Sequence, residues 1–410
     1  MRAALCLLLS IPICASSVAV SADQWPQFRG PDGQGHSSEA RLPLEWSETK
    51  NVAWKAPLAG LGWSSPVVSG GRVWLTTSVE QRGISLRVLA FDAATGKEVV
   101  NVEVFHIGGD RDINPKNSFA SPTPVVEGDR VYVHFGADGT AALSTTGEVL
   151  WKARFDYQSQ HGAGGSPVLH GDLLIFSCDG SDTAFVVALD KRTGKVKWKT
   201  HRRAPADQAY TTPLVIRVGD RDQVVSVGAF RAAAYDPDTG KEIWRVSYGD
   251  GFSNVPRPVF GHGLVYIATG FQQPSILAVR ADGTGDVTKT HVAWSLQRGA
   301  PLTPSPLLVG QELYVVTDGG IATCLDATTG AVAWQQRLGG TYSASPVFTG
   351  GRIYFQAEQG VTTVVAPGRV FRRLAANPLD GGLLASMAVA DGSLFLRTDS
   401  HLYCIREILR

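Results

Sequence analysis

The feature that most constrains the fold is a repeated unit of four short apolar segments separated by glycine-rich turns. In the clearest copy, residues 303–338, the sequence predicts strands at Leu307–Val309, Leu313–Thr317, Ile321–Leu325 and Ala331–Leu338. Glycine accepts the positive φ that tight hairpin turns require. A single four-stranded meander cannot bury both of its faces, so the unit needs copies of itself on either side.

Copies of this unit recur along almost the whole chain. A proline opens seven of them, at Pro66, Pro124, Pro167, Pro213, Pro258, Pro306 and Pro346, and an eighth starts near Met387 with Ala388 in the proline position. The fourth-strand aromatic recurs as Trp151, Trp198, Trp244, Trp294, Trp334 and, more weakly, Phe371. An Asp-x-x-Thr-Gly turn recurs at 92–96, 190–194, 236–240 and 326–330. Four strands per period of 40 to 58 residues predict propeller blades.

The strand count also predicts how the ring closes. The last unit has three candidate strands, and an unpaired fourth strand with its own tryptophan, Asn51–Leu58, precedes the first unit. We expect this strand to pair with His401–Arg406, which leaves no long open sheet edge. The prediction is an all-β, eight-bladed β-propeller of four-stranded antiparallel blades, closed by an N-terminal strand, and a monomer. Seven blades is the alternative if 258–300 or 346–386 is not a full blade.

The chain divides into three parts. Residues 1–22 read as a signal peptide, because Arg2 precedes a broken apolar run that ends in the small residues Val20-Ser21-Ala22. Residues 23–49 form a capping segment with Trp25 and Phe28 as anchors, and 50–410 form the propeller. We expect a periplasmic or secreted bacterial protein that has no membrane span after cleavage, with a retained N-terminal anchor as the alternative. The formal net charge of +1 gives no attraction to nucleic acid.

The loops leading into the first strands and the turns between second and third strands share one face of a propeller. Polar residues on that face are the candidates for a ligand or partner site: Lys116, Asn117, His161, Asp179, Arg231, Arg257, Asp318, Glu358 and His401. The first interval is the longest, and we place its extra residues in a loop from Phe105 to Asn117 that carries His106, Asp110, Arg111 and Asp112. A solvated polar rim with no ligand is the alternative for each residue.

The combination of Ser/Thr-Pro, Asp-x-x-Thr-Gly and Trp resembles the PQQ-like propeller repeat. That repeat is shared by quinoprotein alcohol dehydrogenases and by the outer-membrane assembly scaffold BamB. The opening Trp25-Pro-Gln-Phe-Arg-Gly-Pro, with Lys116–Pro124 and Arg257–His262, resembles exported PQQ-like repeat proteins of planctomycete-type bacteria. In these dehydrogenases the resemblance implies a PQQ cofactor held with calcium.

The dehydrogenase features do not all carry over to this chain. It has no adjacent cysteine pair and no C-x-x-C-H haem site. We therefore expect no catalytic residues and no bound metal or cofactor, and a non-catalytic scaffold that binds a protein partner or a small polar ligand. One alternative is a PQQ- or metal-dependent oxidoreductase with a cation at Asp179, Asp318 and Glu358. The other is a carbohydrate-binding propeller that uses rim aromatics, namely Trp63, Phe119, Tyr210, Phe230, Phe271 and Tyr342.

Overall fold

A computed structural model describes residues 24–109, 111, 113–202 and 205–408 of the chain. The predicted signal peptide at 1–22 lies outside the described residues, as do Asp110 and Asp112. Within the described part, the chain forms eight antiparallel sheets of four strands, which we number blades 1–8 in chain order. The eight-bladed β-propeller is confirmed, and the seven-bladed alternative is wrong because 258–300 and 346–386 are both full blades.

Each blade is a meander whose first strand lies nearest the channel and whose fourth strand is outermost. Blades 1 and 2 consist of Val67–Ser69, Arg72–Glu80, Ile84–Asp92 and Glu98–Ile107, then Val125–Glu127, Arg130–His134, Thr140–Ser144 and Val149–Ala153. A short 3₁₀ turn, Gly136–Asp138, lies within blade 2. Blades 3 and 4 consist of Val168–His170, Leu173–Asp179, Ala184–Asp190 and Val196–His201, then Leu214–Val218, Arg221–Val227, Arg231–Tyr235 and Glu242–Ser247.

The second half of the chain repeats the same order. Blades 5 and 6 consist of Val259–Gly261, Leu264–Ala268, Ile276–Arg280 and Val292–Leu296, then Leu307–Val309, Glu312–Val316, Ile321–Asp326 and Val332–Arg337. Blade 7 consists of Val347–Thr349, Arg352–Gln356, Val361–Val365 and Arg373–Pro378, and blade 8 begins with Ala388–Ala390, Ser393–Arg397 and His401–Ile405. The two-residue strand Gly285–Asp286 adds a parallel fifth strand to blade 4.

The N-terminal strand completes blade 8, as the strand count predicts. Val52–Pro57 pairs antiparallel with His401–Ile405, with Lys55 opposite Tyr403. The indole nitrogen of Trp54 on this strand donates to the carbonyl of Ala93 in blade 1 at 3.0 Å. The closing strand therefore joins the two ends of the ring and also contacts the next blade.

The outer tryptophans link each blade to the following one. Four of them donate from the indole N–H to a carbonyl in the next blade's turn between the third and fourth strands: Trp151 to Lys191, Trp198 to Pro237, Trp294 to Ala327 and Trp334 to Gly368, at 2.7–3.0 Å. The turn glycine lies under the ring, since a Cβ on Gly194 would come within 2.6 Å of Trp151. Positive φ and this close contact together explain the glycine of Asp-x-x-Thr-Gly.

Trp244 is the exception among these tryptophans. Its indole N–H donates to the side-chain oxygen of Gln223 in its own blade at 2.8 Å. The amide nitrogen of Gln223 then donates to the carbonyl of Ala281 in blade 5 at 3.3 Å. The direct bond to a backbone carbonyl, which Trp151, Trp198, Trp294 and Trp334 form, is therefore replaced here by a relay through a side chain.

Blade 7 has no fourth-strand tryptophan. The prediction that Phe371 takes this place is wrong. Phe371 precedes the fourth strand and packs edge-on against Trp334 of blade 6 at 5.1 Å. The position in blade 7 that corresponds to Trp334 is Ala375. Trp334 pairs with Cys324 and Ala375 pairs with Val364, and these two partners occupy equivalent points of their third strands. The capping segment provides the missing ring, since Trp46 stacks on Tyr354 at 6.2 Å. The Trp–Tyr pairs of blades 2, 5 and 6 have similar centroid distances of 5.9–6.3 Å, but their rings are tilted by 42–51°, whereas Trp46 and Tyr354 are stacked at 22°.

The capping segment, of which residues 24–49 are described, lies on the face that carries the turns between first and second strands. Trp25 is fully buried and exchanges two backbone hydrogen bonds of 2.9 Å with Val68 of blade 1. Further along, Ser37 donates from its backbone N–H to Phe348 of blade 7, and Glu39 accepts from Gly392 of blade 8. The segment therefore covers one end of the channel and leaves the other end to the loops.

Candidate functional site

A ring of hydroxyl groups surrounds the channel where the first strands begin. The residue before each opening proline is Ser or Thr in six blades, and Ser386 takes this place in blade 8, in front of Met387. Met387, not Ala388, is therefore the residue in the proline position. We call the set of seven the hydroxyl ring: Ser65, Thr123, Ser166, Thr212, Ser305, Ser345 and Ser386.

Hydrogen bonds between blades fix the hydroxyl ring. At six boundaries the backbone N–H before the proline donates to the hydroxyl of the next blade: Ser65 to Thr123, Thr123 to Ser166, Ser166 to Thr212, Arg257 to Ser305, Ser305 to Ser345 and Ser345 to Ser386, at 2.9–3.0 Å. Each of these oxygens accepts one N–H and can still donate its own hydrogen, which in Ser345 goes to the Ser305 oxygen at 3.0 Å. The Ser/Thr-Pro motif therefore places hydroxyl donors around the channel in fixed positions.

The hydroxyl ring lines a central cavity of about 460 Å³ on the face that the loops form. Among the sequence-predicted candidates, Lys116, Asn117 and His161 line this cavity. Asn117 holds the leading loops of blades 2 and 3 together, because its amide nitrogen donates to the carbonyls of His161 and Ala163 at 2.6 and 3.1 Å. Asn117 therefore has a structural role in joining these loops, in addition to lining the cavity.

The charge on the cavity wall is neutralised by one ion pair across the channel. Lys116 Nζ lies 2.9 Å from Glu358 Oε1, which joins blade 2 to blade 7. Glu358 also accepts hydrogen bonds from Ser343 at 2.6 Å and Thr341 at 2.9 Å. Burial alone would raise the pKa of Glu358, but the bonds from Lys116, Ser343 and Thr341 outweigh it and lower that pKa below its ordinary value. The carboxylate is therefore ionised and fully engaged.

Aromatic side chains surround the cavity, and only part of this set was predicted. Trp63, Tyr210 and Phe271 line it as expected, together with Phe28 and Phe252, which sequence reasoning missed. Phe271 is 54% exposed and meets Phe252 edge-on at 5.7 Å. The predicted rim residues Phe119 and Tyr342 are buried, and Phe230 packs against Phe252 outside the lining.

The predicted long loop is shorter than expected. Phe105 and His106 belong to the fourth strand of blade 1, with His106 paired opposite Ser85 and its ring 3.5 Å from Glu103. Part of the extra length between Pro66 and Pro124 therefore lies in the second, third and fourth strands of blade 1, which have nine, nine and ten residues. Arg111 forms an ion pair with Asp138 and lies over the ring of Phe119.

The remaining candidates lie away from the cavity wall. Asp179 is buried in a two-bond pair with Arg202, at 2.6 and 3.0 Å. Arg231 is buried against Glu242, and His401 begins the third strand of blade 8 beside Ser400. Asp318 accepts from the backbone of Leu302 and Thr303, which themselves line the cavity. Asp179, Asp318 and Glu358 are therefore engaged separately in structural contacts.

Arg257 occupies the eighth position of the ring but points below it. Its guanidinium donates to the carbonyl of Pro213 at 3.1 Å and to that of Phe28 at 2.7 Å. Phe28 belongs to the capping segment and also lines the cavity, so this segment forms part of the cavity floor. The next residue, Arg29, donates to the carbonyls of Gln34 and Pro306 at 2.6 and 2.7 Å. The Trp-Pro-Gln-Phe-Arg-Gly-Pro motif is the sequence signal that could have pointed to this floor.

The donor groups do not fit a calcium-bound PQQ. Calcium requires several carboxylate or carbonyl oxygens, and the three PQQ carboxylates require cations. Within the described ranges, no group of three or more His, Cys, Asp or Glu side chains is placed to hold a metal ion. The cation on the cavity wall, Lys116, is already paired with Glu358. The cavity instead offers hydroxyl groups and aromatic rings.

Among the described residues, no helix has the length and apolar character needed to cross a membrane. Cys178, Cys324 and Cys404 are buried, and none of the three takes part in a disulfide.

Comparisons with known proteins place the chain among propellers of two kinds. It is 26% identical to the quinoprotein ethanol dehydrogenase of Pseudomonas aeruginosa over 60% of this chain and 36% of that protein. It is also 26% identical to the outer membrane protein assembly factor BamB of Burkholderia pseudomallei, over 65% of each chain. The chain thus spans less than two thirds of either relative.

Solved structures show the same fold at lower identity. BamB from Moraxella catarrhalis matches with a TM-score of 0.61 and 14% identity, over 86% of this chain and 99% of that one. The quinohemoprotein alcohol dehydrogenase of Comamonas testosteroni matches with a TM-score of 0.65 and 12% identity, over 95% and 81%. The family profile described as outer membrane protein assembly factor BamB matches residues 85–290 and 186–408. The chain therefore belongs to this BamB-type family of PQQ-like β-propellers.

Proposed function

We propose that this protein is an exported, non-catalytic propeller that binds a small polar molecule in its central cavity. The observation that carries the proposal is the hydroxyl ring at the floor of a cavity of about 460 Å³ whose wall is aromatic. Ligand sites in proteins are commonly concave, largely preformed and lined by apolar groups with a few fixed polar ones. Export is supported by the pattern of residues 1–22 and by the family's assembly factor at the outer membrane.

The lining favours an uncharged ligand rich in hydroxyl groups, such as a sugar. A sugar presents C–H faces that stack on aromatic rings, and Phe271 and Phe252 offer such faces at the mouth. Its hydroxyl groups can accept hydrogens from the hydroxyl ring, whose oxygens are already held by backbone N–H groups. Since Lys116 and Glu358 neutralise each other, the cavity wall favours neither an anionic nor a cationic ligand.

Isothermal titration calorimetry tests the proposal. The purified protein is titrated with a panel of mono- and disaccharides, and separately with PQQ in the presence and absence of calcium. We expect saturable binding of a saccharide that Phe271→Ala weakens at least tenfold. Val370→Ala is the matched control, because Val370 is an 81% exposed apolar residue outside the lining. Saturable, calcium-dependent binding of PQQ would instead support an oxidoreductase.

Binding of a protein partner is the second candidate, and it is supported by the similarity to an outer membrane assembly factor. The exposed part of the leading loop of blade 2 carries Arg111 and Lys116 on the open face. If this loop binds a partner, Lys116→Ala should weaken capture of an exported protein without lowering Tm appreciably. Phe271→Ala should leave that capture unchanged, which separates the two candidates.

A further inference from the structure

Two buried arginines lie directly below the cavity floor, where the capping segment meets the hydroxyl ring. Arg29 and Arg257 are 1% and 2% exposed. Arg29 donates to Pro306, the residue after Ser305, and Arg257 donates to Pro213, the residue after Thr212. Both guanidinium groups therefore lie at the level of the first-strand prolines. Arg257 also donates to the carbonyl of Phe28, next to Arg29, so the two side chains are neighbours.

The hydrogen bonds of Arg29 are incomplete. Its Nη2 has two carbonyl acceptors, but its Nε and Nη1 are buried and have no partner in the described part of the chain. Glycines allow this packing, since a Cβ on Gly35 would come within 2.8 Å of Arg29 Nη2 and one on Gly33 within 2.4 Å of Arg257 Nη1. Two N–H groups of a buried cation therefore lack acceptors, which is costly in a protein interior.

The charge of the pair is also incompletely balanced. Neither guanidinium forms an ion pair among the described residues, and both donate to neutral carbonyls. Asp32 is near enough to act on both, but it is bonded to His36 Nδ1 and to the backbone of Gln34, each at 2.8 Å. Burial and the nearby Arg257 lower the pKa of Arg29 to about 9, and burial lowers that of Arg257 to about 9. Both groups therefore still carry their charge at neutral pH.

We propose that a small inorganic anion, a halide or an oxyanion, binds beside Arg29 below the hydroxyl ring and accepts hydrogen bonds from Arg29 Nε and Nη1. A water molecule there would satisfy the N–H groups, but it would leave two like charges next to each other with Asp32 as their counter-charge. An anion satisfies both requirements, because guanidinium groups form short, charge-assisted bonds with anions. This site is separate from the cavity ligand, and its test uses no such ligand.

Thermal unfolding in matched salts tests the proposal. Tm is measured in sodium chloride, bromide, phosphate and gluconate at one ionic strength, so that general screening is constant and the bulky gluconate serves as reference. A bound anion stabilises the folded state in proportion to the logarithm of its concentration over its dissociation constant. We expect a rise in Tm of a few degrees in at least one small anion relative to gluconate, growing with concentration.

Variants assign the effect to this site. Arg29→Met removes the charge while keeping an apolar side chain of similar length, and the anion-specific rise in Tm should disappear. Arg397→Met is the matched control, because Arg397 is equally buried and lacks a carboxylate partner, but lies between blades 8 and 1 with its Nη1 bonded to Ser64 and Thr76. The rise should persist in that variant. An equal rise in wild type and Arg29→Met would overturn the proposal, as would equal Tm in all four salts.

A second measurement avoids mutation altogether. Crystals of the unaltered protein grown in sodium bromide should show an anomalous peak within 3.5 Å, roughly hydrogen-bond reach, of Arg29 Nε or Nη1. A peak there supports the proposal even if Arg29→Met fails to fold. A site filled by water alone in crystals from bromide and from phosphate would overturn it.

Discussion

The boundary between blades 3 and 4 and the boundary between blades 4 and 5 solve the same packing problem in different ways. At the first, Trp198 donates to Pro237 on the outside, and Ser166 donates to the Thr212 hydroxyl on the inside. At the second, the indole N–H of Trp244 is linked to blade 5 through the Gln223 side chain, and Arg257 takes the inner place of a hydroxyl. Both of the repeated links are therefore replaced at one boundary.

Other contacts compensate at the boundary between blades 4 and 5. The strand Gly285–Asp286 pairs in parallel with Trp244–Arg245, and Asp286 lies 3.4 Å from the Arg245 guanidinium. On the inside, Arg257 ties blade 5 to blade 4 and to the capping segment. Regular boundaries thus depend on short motifs that any blade can carry, whereas this one depends on residues that occur once.

The largest expected effect comes from Trp244→Ala. Trp244 is fully buried, so its loss should lower the free energy of unfolding by about 3–5 kcal/mol, as for other buried tryptophans. Gln223→Met keeps the volume and removes the relay, and should cost only about 1–3 kcal/mol because the indole N–H loses its acceptor. Chemical denaturation measures both. If Gln223→Met cost as much as Trp244→Ala, the relay and not the packing would hold this boundary.

The next effect concerns blade 7, where the capping segment supplies the tryptophan. Trp46→Ala should cost about 3 kcal/mol, because Trp46 is 2% exposed and stacks on Tyr354. If Trp46 occupies the place of a fourth-strand tryptophan, Ala375→Trp should restore part of that loss in the Trp46→Ala background. In the wild-type background the same change should destabilise, because the place is already filled. Additive effects of the two changes would show that the places differ.

The smallest effect tests a regular turn through its pH dependence. Asp326 accepts hydrogen bonds from the Thr328 and Thr329 hydroxyls and the Thr329 backbone, which lower its pKa to about 2. Since the folded pKa lies below the unfolded value of about 4, its stabilisation is present above pH 4 and is lost as pH falls toward 2. Asp326→Asn should therefore lower Tm slightly at pH 6 and make little difference near pH 2. A difference that stays constant with pH would mean that the charge contributes nothing.

The sequence predicted what the repeat itself encodes. Blade number, ring closure through Asn51–Leu58 and the recurrence of the outer tryptophan follow from periodicity, because each depends on residues at fixed spacing within a unit. The roles of Trp46 and Arg29 could not be predicted in this way. Both lie in a segment that does not repeat, and their partners are some 280 to 310 residues further along the chain.

Only part of the candidate site could be predicted, for a related reason. The shared face of the loops placed Lys116, Asn117 and His161 at the cavity, but charged residues in the turns between second and third strands found closer partners. Alternation along a strand does not say whether a turn side chain reaches the channel or folds back onto its own blade. The Ser or Thr before six of the seven opening prolines was visible as a pattern, yet its inward position required the structure.

The capping segment also has a consequence for the order of assembly. It is synthesised before every blade, but three of its hydrogen-bond partners, Phe348, Asn377 and Gly392, are synthesised more than 300 residues later. The closing strand Val52–Pro57 likewise waits for His401–Ile405. Contacts so distant in sequence form slowly, since a long stretch of chain must first be ordered. Trp25 can pair with blade 1 as soon as that blade is made, but residues 37–46 and the closing strand must wait for blades 7 and 8.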